Sequence, residues 1–134
     1  MIDTHAHLMF RDFAKDLSDV LKRAKEAGVT EIVNAGCSVR DSQASFEMCQ
    51  KYPQLYGTLG VHPYDSADVT DKLMSKFFDQ AKANKKIVAI GECGLDYHRP
   101  NSKIEDQKRA FRMQLVIAKE LHLPVIIHSR EAAS

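Results

Sequence analysis

The chain has 134 residues, 44% hydrophobic and 28% charged, with a net charge of +1 from 19 basic and 18 acidic side chains. This is the size and make-up of one globular domain, and it excludes disordered, collagen-like and disulfide-scaffolded chains. Near-neutral charge argues against holding a polyanion on a broad basic face, so any phosphate handled here needs another source of neutralisation, and a metal ion is the obvious candidate.

In chain order, short apolar stretches alternate with longer amphipathic ones. Ile2 to His7 is a strand candidate. Asp12 to Ala27 reads as a helix, because Phe13, Leu17, Val20, Leu21 and Ala24 recur at helical spacing and Gly28 suits its carboxyl end. Thr30 to Ala35 is a second strand, followed by a helix over Asp41 to Lys51 that stops ahead of Pro53. Leu55 to Val61 is a third strand and Asp71 to Ala83 a third helix. Ile87 to Glu92 is a fourth strand, apolar enough to be buried on both faces. Lys103 to Leu121 is the longest helix, and Val125 to His128 a fifth strand. Such alternation implies right-handed βαβ units and a parallel sheet.

Cys37, Cys49 and Cys93 form no C-x-x-C pair and read as reduced core thiols. Asp3, His5 and His7 interrupt any apolar signal core, and no apolar run approaches the ~20 residues that span a bilayer. The expectation is therefore a cytoplasmic protein without a membrane partner.

His5 and His7 stand at alternate positions of the first strand, so both side chains point to one face, with Cα atoms roughly 6.5–7 Å apart. Two imidazoles so placed can converge on one ion at Zn–N distances of about 2.0–2.1 Å. An H-x-H pair alone is as compatible with two polar residues on an exposed strand. Three further polar residues, His62, Glu92 and His128, close three other apolar strands. The carboxyl ends of parallel strands form the active rim of α/β folds, whether the sheet is open or closed. Four strand ends carrying such residues point to a site.

The segments IDTHAHL, GVHPY, GECGLDYHR and PVIIHSR, in this order and spacing, resemble the TatD family of metal-dependent deoxyribonucleases, which are amidohydrolase-like barrels. The resemblance implies that residues 1–134 are a single partial TIM-barrel domain with about five of the eight strands. It implies that His5 and His7 bind a first metal, that Glu92 contacts two metals and that His128 binds the second. It also places His62, and by position Arg130, near the substrate phosphate. Asp96 and Tyr97 are expected to shape a loop under the site, Asp3 to orient a ligand, and His98 and His122 to be surface residues. The cofactors implied are divalent ions (zinc, magnesium or manganese), two in the intact family and one expected here. The substrate implied is DNA or another phosphodiester.

Departures from the family pattern bear on activity. A further histidine and a late-strand aspartate, the expected general base, find no match before Ser134, so the catalytic residue is unassigned and the chain alone is expected to be impaired. Met9 and Tyr64 also depart from the usual residues. An incomplete barrel should associate, as a homo-oligomer or with a missing C-terminal half. The competing readings are a catalytically silent metal-binding module and an amidohydrolase-type enzyme on a substrate other than nucleic acid. Phosphoesterases of the polymerase-and-histidinol-phosphatase type share H-x-H but not the GECGLDYHR and HSR motifs.

Overall fold

The computed structural model describes residues 1–98 and 101–132. Five strands, β1 (Ile2–Ala6), β2 (Glu31–Asn34), β3 (Leu55–Leu59), β4 (Ile87–Asp96) and β5 (Val125–Arg130), form one sheet in the order β1-β2-β3-β4-β5. Every neighbouring pair is parallel. Spatial order follows chain order with no reversal, which is how a barrel is wound and not how a doubly wound open sheet is wound.

Four helices connect the strands: α1 (Leu17–Glu26), α2 (Val39–Lys51), α3 (Asp71–Ala83) and α4 (Ile104–Leu121). Local chemistry sets their ends. The Ser38 hydroxyl accepts the Asp41 N–H (3.0 Å) at the start of α2, and the Thr70 hydroxyl accepts the Leu73 N–H (3.2 Å) at the start of α3. Gly28 follows α1 at φ +89°, the left-handed turn that its missing Cβ permits. The helix expected over 12–27 is shorter, because Asp16 leaves helical conformation (φ −134°, ψ 19°) and separates α1 from a 3-10 turn at Arg11–Phe13. Leu21, Ile32, Leu55, Leu59, Phe77, Ile87, Ile90 and Ile117 form the core between sheet and helices.

Two strands run further than their apolar letters suggest. β4 continues through Cys93, Gly94 and Leu95 to Asp96, so Glu92 lies inside it and not at its end. β5 continues past His128 to Arg130, in register with β4 (Gly94 opposite His128, Asp96 opposite Arg130). The approach is close enough that a Cβ on Gly94 would overlap the His128 carbonyl. β3 stops at Leu59, leaving His62 three residues beyond it, where its ring caps a second 3-10 segment, Pro63–Asp68.

Buried polar side chains complete the backbone where the strand ladders end. Asn34 accepts the Leu8 N–H (2.8 Å), fixing the chain just after His7. The Ser42 hydroxyl donates to the Gly60 carbonyl (2.7 Å) and accepts its N–H (2.9 Å). Two glutamines of α4 act as forks. Gln114 accepts the Val61 N–H (2.8 Å) and donates to the Val61 carbonyl (3.1 Å), and Gln107 does the same for Asp96 (2.9 and 3.0 Å). Backbone groups that cannot reach water or a neighbouring strand thus keep their hydrogen bonds, and the segments carrying His7, His62 and Asp96 stay in place.

Candidate metal centre

β1, the end of β3, β4 and β5 bring their polar residues together at one rim. His5 Nε2 lies 3.2 Å from His7 Nε2 and 3.2 Å from Glu92 Oε2, and His7 Nε2 lies 3.6 Å from that same oxygen. Two ligands of a tetrahedral zinc, each about 2.0–2.1 Å from the ion, stand about 3.3 Å apart. The triangle of donors therefore matches one face of a metal tetrahedron. The His7 ring also has its tautomer fixed: Nδ1 donates to the Ala35 carbonyl (2.8 Å), so a neutral ring turns a bare Nε2 lone pair to the triangle. Asp3 accepts the His5 backbone N–H (3.1 Å) and steadies the strand there, without joining the donor group itself.

The second oxygen of Glu92 faces the other way. Oε1 lies 3.1 Å from His128 Nδ1, and His128 Nε2 lies 2.9 Å from Asp96 Oδ2. His62, Asp96 and His128 make a second group with donor atoms within 4.8 Å of one another. Glu92 is thus placed between two clusters, one oxygen to each. Asp96 is 1% exposed and its other oxygen accepts the His98 N–H (3.1 Å).

His62 differs from the other imidazoles. Its Nδ1 accepts the Tyr64 N–H (3.2 Å), and burial, reinforced by nearby His128, pushes the ring below the usual imidazole range. A neutral ring so held carries its proton on Nε2 and offers a hydrogen-bond donor. The His62 and His128 rings meet edge to face at 4.2 Å. Cys37 lines the same pocket, of about 420 Å³, with its thiol on the Asp41 carboxylate (3.1 Å). Burial is the main cause, and Asp41 a further one, that pushes this thiol far above its usual range, so it is no ready thiolate ligand.

The site residues read from sequence thus divide. His5, His7, Glu92, His128 and His62 converge. Arg130 is exposed on β5, two residues past His128 and so on the same strand side, with its carbonyl accepting the Tyr97 N–H (3.0 Å); its side chain is not among those lining the pocket. Asp96, expected to shape a loop, instead reaches His128. Its signal is in the sequence: Glu92, Gly94 and Asp96 alternate along one strand, a pattern that ending the strand with its apolar run at Glu92 leaves out. His98 lies at the surface, part-exposed, with its Nδ1 paired to the exposed Glu131 at 2.6 Å. His122 is exposed and ends α4 in left-handed conformation (φ 53°). Cys49 and Cys93 are buried, as small core residues should be.

Parallel strands wound in barrel order bring histidines and carboxylates from separate strands to one rim, the arrangement of barrel-type metal-binding folds. The family model described as "TatD related DNase" matches residues 2–134, and the chain belongs to that family. It is 41% identical over 132 residues to the uncharacterized metal-dependent hydrolase YabD of Bacillus subtilis, covering 98% of this chain and 51% of that protein. It is 42% identical over 132 residues to a 3′-5′ ssDNA/RNA exonuclease TatD of Escherichia fergusonii, covering 98% of this chain and 50% of that protein. The crystal structure of YjjV, a TatD homolog from Escherichia coli K12, superposes with a TM-score of 0.89 at 33% identity, covering 98% of this chain and 51% of that one. The chain spans about half the length of the relatives it matches, and its five strands form a curled half-barrel. Among the described residues no helix is long and apolar enough to cross a membrane.

Proposed function

We propose that residues 1–134 supply the metal-binding rim of a hydrolase that cleaves phosphodiester bonds of single-stranded nucleic acid, DNA above all. In this reading the chain is a single partial barrel domain. His5, His7 and Glu92 would hold one divalent ion, and His128, with its Nδ1 beside the other oxygen of Glu92, would reach a second. Zinc, magnesium or manganese suits such a set, with the two imidazoles of the first group favouring zinc. The observation that carries the reading is the donor triangle of His5, His7 and Glu92, with sides of 3.2, 3.2 and 3.6 Å.

Ions bound there supply Lewis-acid neutralisation of phosphate charge and a water of lowered pKa. The chain's own residues do the rest. Ala35 holds His7 in the ligating tautomer, and Glu92 spans both clusters. His62 donates from Nε2 to a phosphate oxygen, and Arg130 adds a charge on the same side of β5. The similarity to 3′-5′ ssDNA/RNA exonucleases supports nucleic acid as the substrate. No residue of this chain is assigned as the general base, because the aspartate expected from the resemblance has no match in residues 1–134. The 134 residues alone therefore bind metal but hydrolyse DNA poorly or not at all.

Calorimetric titration with zinc and with manganese, beside a single-stranded DNA degradation assay, tests this. The expected result is stoichiometric binding weakened about tenfold or more by His5→Ala or Glu92→Ala, with turnover near background. Metal binding indifferent to Glu92→Ala would overturn the assignment of ligands. Robust turnover abolished by Glu92→Ala would overturn the impairment alone.

A further inference from the structure

Phe10 is placed in a way that packing does not explain. It is 40% exposed and stands outside the hydrophobic core, whereas Phe13, one 3-10 turn later, packs against that core. Its ring lies flat on the imidazole of His7, with centroids 5.0 Å apart and planes 6° from parallel. The backbone holds it there: the Phe10 N–H donates to the His7 carbonyl (3.1 Å), and the Phe13 N–H donates to the Phe10 carbonyl (3.0 Å). One turn thus folds the ring back over a residue of the metal centre.

Phe10 lines several neighbouring spaces. One is a groove of about 500 Å³ on the far side, shared with Phe13, Met48 and Tyr52. Another is the pocket containing His7, His62, Glu92 and His128. A third is a cleft of about 200 Å³ that also holds Arg11, Arg40 and Asp41. The Asp41 carboxylate is already engaged by the Ser38 hydroxyl (2.8 Å) and the Cys37 thiol (3.1 Å). Arg11 and Arg40 are both exposed. In a chain whose overall charge is +1, two guanidinium groups beside an exposed aromatic are a local feature and not part of a general basic surface. Aromatic platforms flanked by positive charge are how single-stranded nucleic acids are gripped, and the grip tolerates any sequence because every base has a π-face.

We infer that Phe10 is the stacking platform for the nucleobase next to the phosphate at the metal centre, with Arg11 and Arg40 taking the following phosphate. The inference rests on the nucleic-acid reading above and adds to it the subsite that fixes where the strand lies. The unstacked base lies against the exposed part of the ring, the backbone passes over the rim into the metal pocket, and the adjoining cleft receives the next nucleotide. A duplex, whose bases are already stacked on one another, gains nothing from the platform, so the subsite selects single strands.

The test is fluorescence anisotropy with a labelled single-stranded hexadeoxynucleotide carrying phosphorothioate linkages against cleavage, compared with the same strand made abasic. Wild-type protein is expected to bind the normal strand about tenfold more tightly than the abasic one. Phe10→Ala should bind both at the weaker level, and Phe10→Trp should restore the preference. Phe10→Leu, which keeps apolar volume without a π-face, should behave like the alanine variant, with circular dichroism confirming that each variant is folded. If Phe10→Ala discriminates the two strands as well as wild type does, or if wild type binds both equally, the stacking role is overturned and the nucleic-acid reading stands. If wild type binds neither strand, the nucleic-acid reading itself fails and the stacking role fails with it.

Discussion

At the scale of single residues, the site depends on side chains that touch no reacting group. Gln114 satisfies both backbone groups of Val61, the residue before His62. Gln114→Leu keeps the volume but leaves a buried N–H and C=O unpaired, each worth about 1–3 kcal/mol. Equilibrium urea unfolding should show a loss of at least the lower figure; an unchanged midpoint would mean that water reaches Val61. The thiols give a second residue-scale expectation. Burial pushes Cys93 up to about 12 and raises Cys49 as well, so both stay protonated at neutral pH in the folded state. The folded form therefore retains protons that the unfolded chain gives up near its ordinary thiol range. This contribution to stability is complete below that range and is lost as the pH rises from there toward 12. A thiol reagent at pH 8 should accordingly label Cys49 and Cys93 in urea but scarcely at all in the native protein.

At the scale of elements, the strands and helices were legible because their patterns are local. The apolar runs at 30–35, 55–61 and 87–92 announce strands, and the alternation of His5 and His7 announces a shared face. What was hidden depends on contacts distant in sequence. The two glycines of GECGLD suggest the end of a strand, yet Gly94 is there because β5 passes too close for a side chain, and the strand carries on to Asp96. Gln107 and Gln114 look like ordinary solvated helix residues until α4 is laid on β4. Phe10 carries no signal of its own, since nothing in the letters says that a turn returns it to His7. One expectation follows for the paired strands. Gly94→Ala should push β5 away at His128, weakening the metal affinity of the second cluster about tenfold, as loss of supporting contacts commonly does. Calorimetry of the variant would check it, and unchanged binding would show that β5 position does not set the His128 ring.

At the scale of the whole molecule, β1 and β5 each pair with one neighbour among the described residues, and Ile2 and Ile127 on these strands are 54% and 60% exposed. Unpaired parallel edges with exposed apolar residues favour association. Light scattering coupled to size exclusion should therefore give a mass above 15.1 kDa at micromolar concentration, or capture of a separately supplied second half built on the longer relatives. A monodisperse species at the single-chain mass that takes up no second half would show that the edges are self-sufficient. Charge matters at this scale too. With a net charge of +1, weak dependence of nucleic-acid binding on salt in the absence of metal is expected, because few phosphate counterions are displaced by the protein itself.

The functional reading depends on imidazoles and a carboxylate from separate strands sharing one cation. Anomalous scattering from crystals soaked in zinc addresses that directly. A single strong peak about 2.0–2.2 Å from His5 Nε2, His7 Nε2 and Glu92 Oε2 is the predicted result. Density absent from that triangle, with zinc found only at exposed surface residues, would contradict it.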